Sequence, residues 1–187
     1  YKRQVLDVSL DIHDGCNFWL EDPEGFRSPD SITSAEPGRI IGTGLEGDVA
    51  VVVADPLLEA SQPLETIYAA RGLSVAIVSA GEVYDEFGQG LRDPGAIRSF
   101  FRHTQDGWSR PASALLLVGD GSYDPMMHVT SYPTLIPVCL ILSGEEGINL
   151  DDKMVIAHEG GMLPEAPVSR ITASSAVELS GYLSKVM

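Results

Sequence analysis

The sequence predicts an α/β fold: a small, mainly parallel sheet flanked by helices, with an N-terminal β-strand and loop appendage. Three observations carry this. Apolar runs at 49–54, 73–78 and 114–118 are continuous rather than alternating, as expected of strands buried on both faces. Helical patterns separate these runs, and strand–helix–strand order joins parallel strands by right-handed crossovers. The helices between them open on Asp55-Pro56 and Asp93-Pro94, an N-cap followed by proline at the first helical position.

Residues 1–47 read as an appendage or as the end of a preceding domain, and 48–187 as the α/β unit. In the first part Val5, Leu6, Val8, Leu10 and Ile12 alternate loosely with polar residues, which predicts one or two half-buried strands. Glu21 to Gly47 is rich in Pro, Gly, Ser and acids. It reads as a long connection packed at Phe18, Trp19 and Phe26.

In the second part, a helix is expected from Asp55 to about Ala70, with Leu57, Leu64, Ile67 and Tyr68 facing inward. Pro63 kinks it or splits it into two short pieces, and Gly72 ends it. A short helical turn holds Val83, Tyr84 and Phe87. The helix after Asp93 carries Ile97, Phe100, Phe101 and Thr104 at i, i+3, i+4 and i+7, an amphipathic stripe. Gly107 and Pro111 stop it. Gly119 to Gly147 is loop-rich. Within it Leu135 to Leu142 predicts an edge or antiparallel strand interrupted at Pro137. Lys153–Ala157 and Val168–Ile171 read as two more short strands. Ser175 with Glu178 matches a capping box, and Val177, Tyr182, Leu183 and Val186 mark a final helix.

Composition narrows the function classes. With 44% hydrophobic and 21% charged residues the chain can bury a core, which excludes general disorder. Twelve Lys and Arg against 27 Asp and Glu give a net charge of -15. Such a surface repels phosphate backbones and anionic lipid, so neither nucleic acid nor membrane is an expected partner. No apolar run reaches the roughly 20 residues of a membrane span. The chain begins at Tyr1 without a signal-peptide pattern, so a mature product or a fragment is expected. Cys16 and Cys139 are too few for a disulfide scaffold and lack metal-site spacing.

The chemistry-bearing motifs are sparse. Gly42-Thr43-Gly44-Leu45-Glu46-Gly47 has the letters of a dinucleotide fingerprint. Its glycines precede a strand instead of following one, so it reads as a lead-in loop. Gly119-Asp120-Gly121-Ser122-Tyr123-Asp124 follows the third strand directly, where open α/β sheets place their functional crevice. Asp120 and Asp124 are the candidate ligands of a hard cation such as calcium. Asp and Gly are also ordinary turn formers, and the turn reading stands beside the cation reading. Ser122 sits in no nucleophile elbow. His13, His103, His128 and His158 lack a second histidine at ligand spacing, and His103 reads as a surface residue. Cys139, between Val138 and Leu140, reads as packing, because a nucleophilic thiol needs a base nearby. Cys16 beside Asp14 reads as exposed and unreactive. Glu145, Glu146, Asp151 and Asp152 read as a solvated acidic surface or, alternatively, a cation site.

Several blocks resemble the gingipain-type cysteine peptidases. The stretch Val83–Phe100, reading VYDEFGQGLRDPGAIRSF, is similar to that family, as is Ala114–Asp124, reading ALLLVGDGSYD. Leu135-Ile136-Pro137 and Leu163–Ile171 follow in the family's order. The resemblance spans about residues 48–187. It implies a secreted or cell-surface, extracellular protein. It also implies a caspase-like catalytic domain of two α/β subdomains, with a Cys nucleophile and a His base in the second. This chain resembles the first subdomain alone. The family's His-Gly and later Cys fall beyond that subdomain, and no residue here matches them. The chain departs from the family at Ser169, where Gly is frequent, and at residues 157–161, where an Asp-Gly-Asp-Asp stretch is frequent.

Two readings follow from the resemblance. In one, the chain supports a catalytic Cys/His subdomain in the remainder of the same polypeptide, which acts on a protein or peptide substrate. In the other, the fold serves as a non-catalytic surface binding or assembly module. Neither reading assigns a catalytic residue within these 187 positions, and calcium is the one cofactor that either suggests.

Overall fold

A computed structural model describes residues 38–124, 128, 131, 134–143, 146–149, 151–156 and 163–186. The chain divides into two compact units, Tyr1–Glu36 and Pro37–Met187. The described residues all belong to the second. The strands and aromatic anchors expected before Glu36 lie outside them, as do Cys16 and His13.

A four-stranded parallel sheet organises this unit. Its strands are β1 (Val49–Val53), β2 (Val75–Ser79), β3 (Ala114–Val118) and β6 (Val168–Ile171), in spatial order β2-β1-β3-β6. Val51 pairs with Ile77 on one side and Leu116 on the other, while Leu117 pairs with Arg170. The central position of β1 explains its unbroken run of valine and alanine, since every residue is buried. By contrast β2 lies at an edge, and its residues alternate between buried and half-buried. The strand begins at Val75, two residues later than the apolar run suggests, and Leu73 is exposed. A separate antiparallel pair joins β4 (Leu140–Ser143) to β5 (Glu146–Asn149).

Among the described residues four α-helices flank the sheet: α1 (Pro63–Ala69), α2 (Ala80–Gly88), α3 (Pro94–Asp106) and α4 (Ala176–Leu183). The helix expected from Asp55 breaks into two 3-10 turns, Asp55–Leu57 and Glu59–Ser61, followed by α1. Pro63 is at the start of α1, where its missing N–H costs nothing. Leu57, Leu64 and Ile67 are buried as expected. The capping role read for Asp55 is not observed. Its carboxylate reaches across to the start of α2, accepting from Ser79 Oγ at 2.6 Å and Gly81 N–H at 3.0 Å.

Ser79 and Glu82 form a capping box at α2, longer than the single turn the sequence suggests. Asp93 caps α3 by accepting from the Gly95 N–H. The stripe Ile97, Phe100, Phe101 and Thr104 is buried throughout. Phe87 and Trp108 meet the Phe100 ring edge-on, at centroid distances of 5.6 and 6.4 Å.

Two expected strands are altered. The segment read as a strand from Lys153 forms a 3-10 turn, Asp151–Val155. Its Met154, Val155 and Ile156 are buried, and Arg98 on α3 donates to the Ile156 carbonyl at 2.6 Å. Side-chain burial, rather than strand pairing, accounts for that apolar run. The expected strand at Leu135–Leu142 starts at Leu140, because Leu135 and Ile136 donate their N–H groups to the Asp120 carbonyl.

Ser175 caps α4 by accepting from the Glu178 N–H, while the Glu178 carboxylate serves Ser174. Leu179 and Leu183 anchor this helix; Val177, Tyr182 and Val186 are exposed. Among the described residues no helix is long and apolar enough to cross a membrane.

Candidate functional site

The C-terminal ends of the parallel strands gather Asp55, Ser79, Asp120 and the chain after Ile171 on one crest. Open α/β sheets bind ligands at this end. Here the crest is closely packed. Gly119 leaves β3 with φ +148°, and a Cβ there would lie 2.8 Å from Ile136 Cγ1 and 3.0 Å from Ala54 Cβ. Asp120 then donates its N–H to the Ala173 carbonyl at 3.1 Å. Its own carbonyl accepts from both Leu135 and Ile136 at 3.0 Å. A side chain at Gly121 would run into Val138 Cγ1 at 2.4 Å and the Ile136 carbonyl at 2.8 Å. The glycines of this motif thus let the segment at 135–138 lie directly on the end of β3.

The two carboxylates singled out in the loop serve different backbone groups. Asp120 Oδ1 accepts from Gly121 N–H at 2.9 Å. Asp124 is buried, and its Oδ1 accepts from His128 N–H at 3.0 Å. The Asp124 N–H in turn donates to Ser122 Oγ at 3.0 Å. These are turn-forming bonds of the kind Asp makes locally. Among the described residues no three His, Cys, Asp or Glu side chains converge as a metal site would need.

Arg170 binds the crest together, a role that residue-by-residue reading missed. Its Nε and Nη2 donate to the two Asp151 carboxylate oxygens at 2.8 and 3.0 Å. Nη1 donates to the Gly119 and Ile136 carbonyls, and Nη2 also to that of Pro137. Both side chains of the pair are nearly excluded from solvent. Asp151 is therefore a structural ion-pair partner, a correction to its reading as solvated acid or cation ligand. Asp152 beside it is exposed, Glu145 lies outside the described residues, and Glu146 belongs to β5. A signal for Arg170 was present: a charge inside a strand, next to the buried Ile171, requires a partner.

Tyr84 on α2 is buried, and its hydroxyl has no hydrogen-bond partner among the described residues. Burial pushes its pKa up to about 12, with Arg92, Asp55 and Arg170 acting as smaller charge influences. Cys139 is half-buried, and its thiol is pushed above the ordinary range by burial first and by Asp151 second. That is opposite to the depressed pKa of an activated thiolate.

His103 is half-buried on α3, not a surface residue, and stacks at a tilt on Phe87 with centroids 5.5 Å apart. His128 is exposed. His158, with residues 157–161, lies outside the described residues. Gly42 and Gly44 adopt left-handed φ values of +81° and +73° before β1. A Cβ at Gly47 would meet the Ala76 backbone nitrogen at 2.6 Å. These glycines shape a lead-in along β2, with no helix behind them to receive a phosphate.

Comparison with known proteins accords with this geometry. The family model described as Peptidase family C25 matches residues 43–187. Among solved structures, the crystal structure of dimeric latent PorU from Porphyromonas gingivalis is similar, with a TM-score of 0.62 at 20% sequence identity. The match covers 75% of this chain and 15% of that one. At this identity the likeness bears on the fold, and the chain spans only a small part of that relative's length. No curated protein matches the chain.

Proposed function

The chain belongs to peptidase family C25, and from that premise we propose that it is the first, non-catalytic subdomain of a gingipain-like cysteine endopeptidase. Its work is to support a second subdomain, carried elsewhere in the polypeptide, that supplies the Cys nucleophile and His base. The chemistry there is thiolate attack on a peptide carbonyl of a protein substrate. An extracellular or cell-surface location belongs to the same proposal.

The observation that carries this reading is the match of residues 43–187 to the family model, and the environment of Cys139 agrees with it. A nucleophilic cysteine requires an environment that favours the thiolate. Here burial and Asp151 both favour the protonated thiol. Residues of this subdomain serve instead by rigidity: Arg170 ties the ends of β3 and β6 to the segment at 135–137.

The test is a peptidase assay of the purified 187-residue chain on a fluorogenic peptide library. No turnover is expected. Turnover abolished by Cys139→Ala overturns the proposal. A second reading, a non-catalytic surface binding or assembly module, is favoured by the departures from the family at Ser169 and at residues 157–161. The intact mass of the native polypeptide separates the two. A mass near 20.0 kDa without an associated second fragment selects the module. A larger chain containing His-Gly and a later Cys selects the peptidase.

A further inference from the structure

One face of the sheet carries an open cleft between α1 and α4. Side chains alternate along a strand, so Ser169 and Ile171 share a face of β6 and Arg170 takes the other. Ser169 pairs in register with Leu116 of β3, and Leu116, Ser169 and Ile171 all line the cleft. Leu116 and Ile171 are buried, yet Ser169 between them is exposed. The two helices therefore part above this serine.

The cleft encloses about 290 Å³, close to the ~300 Å³ at which small-ligand pockets begin. At roughly 30 Å³ for each water-sized group, it holds about ten of them. Its walls are aliphatic, with Ile67 on one side and Leu183 and Val186 on the other. No Asp or Glu is among its lining residues, although the chain has 27 of them.

Two arginines line the cleft. The Arg170 guanidinium is taken by Asp151. Arg71, just past the end of α1, is exposed. Its Nη1 donates to the Ile67 carbonyl at 2.8 Å, which fixes the guanidinium against the α1 wall. Among the described residues it meets no carboxylate at ion-pair distance. Nε and Nη2 remain as a two-pronged donor, the same fork with which Arg170 grips Asp151. That fork matches the geometry of a carboxylate.

These features specify one ligand chemistry. The aliphatic walls and floor call for an apolar chain, and the free fork of Arg71 calls for a carboxylate. A chain with net charge -15 repels polyanions, so a single negative charge is favoured over several. We propose that this cleft binds an aliphatic monocarboxylate of about ten carbons, its tail in the cleft and its carboxylate on Arg71. The site is independent of any peptidase chemistry elsewhere in the polypeptide.

The experiment is isothermal titration calorimetry of the 187-residue chain with decanoate. Its comparators are decyltrimethylammonium, with the same tail and the opposite charge, and butanoate, with the same head and a short tail. One decanoate per chain is expected, with a Kd on the order of 100 micromolar and each comparator weaker by about tenfold or more. Arg71→Gln should weaken decanoate about tenfold and leave decyltrimethylammonium no weaker. Ser169→Phe fills the floor of the cleft and should abolish binding. Circular dichroism verifies that both variants fold; Arg71→Gln, at an exposed position, carries the test alone if Ser169→Phe does not. Failure to bind decanoate, equal binding of either comparator, or decanoate binding unchanged by Arg71→Gln overturns the proposal. So does a dimer in sedimentation that Ser169→Phe dissociates, since a second copy would then fill the cleft.

Discussion

The Arg170 guanidinium and the Asp151 carboxylate meet as a two-pronged pair, with Nε–Oδ2 at 2.8 Å and Nη2–Oδ1 at 3.0 Å. Both charges are largely out of water, so each is tolerable only while the other is present. Arg170→Ala strands the carboxylate and three carbonyls. It is expected to cost about 3 to 5 kcal/mol in urea unfolding. Replacing both partners with apolar residues, Arg170→Met with Asp151→Leu, should cost less than that single change. Equal or additive losses would mean the two side chains do not act as a pair.

Tyr84 gives a test at alkaline pH. The folded state binds its phenolic proton more tightly than the unfolded chain does, the pKa being about 12 against an ordinary 10.0. Stability is therefore kept below pH 10 and falls as pH rises from there through about 12. The loss amounts to roughly 2 to 3 kcal/mol. Tyr84→Phe should remove that portion of the pH dependence. At pH 7 it should leave stability unchanged or raise it, because the buried hydroxyl is desolvated without a partner among the described residues. Urea melts of the two proteins at pH 7 and pH 11 make the comparison. A clear destabilisation by Phe at pH 7 would reveal a hydrogen bond to that hydroxyl.

Cys139 should be a slow nucleophile. Its raised pKa leaves little thiolate at pH 8. Alkylation by iodoacetamide is expected to run about tenfold or more slower in the native chain than in the urea-unfolded chain. Native labelling at the unfolded rate would contradict the burial described here.

The Asp120–Asp124 turn makes a prediction about calcium. Each carboxylate already accepts a backbone N–H, so the turn is expected to need no metal, and millimolar calcium should leave the thermal midpoint unchanged. A rise that grows with calcium concentration and disappears in Asp124→Asn would instead assign a cation to the loop, since a ligand of the folded state stabilises by mass action.

How much of this was legible in the sequence depends on the range of the interaction. Strands β1 and β3, the stripe of α3, the cap at Asp93 and the break at Pro63 rest on local patterns. A chain read residue by residue reveals these. Asp55 carries the same local signal as Asp93, yet its partners are Ser79 and Gly81, at the end of the neighbouring strand. Tertiary hydrogen bonds outcompeted the cap there. Likewise Asp151 looked like one of several loop acids until the fold brought Arg170 to it from β6. The run after Lys153 has strand-like composition, but its apolar residues are buried from a 3-10 turn. Edge position was invisible too: the apolar run that became β2 resembles β1 closely, and only the sheet order distinguishes them.

The unequal placement of the strands also sets an order in time. Every residue of β1 is buried and it is paired in parallel on both sides, so its amide protons can reach solvent only when the whole sheet comes apart. Strands β2 and β6 lie at the two margins, each paired on one side among the described residues. Either margin can open while β1 and β3 stay paired. In deuterated solvent the amides of β2 and β6 should exchange before those of β1. The slow set would report global unfolding, and the fast set the local opening of a margin.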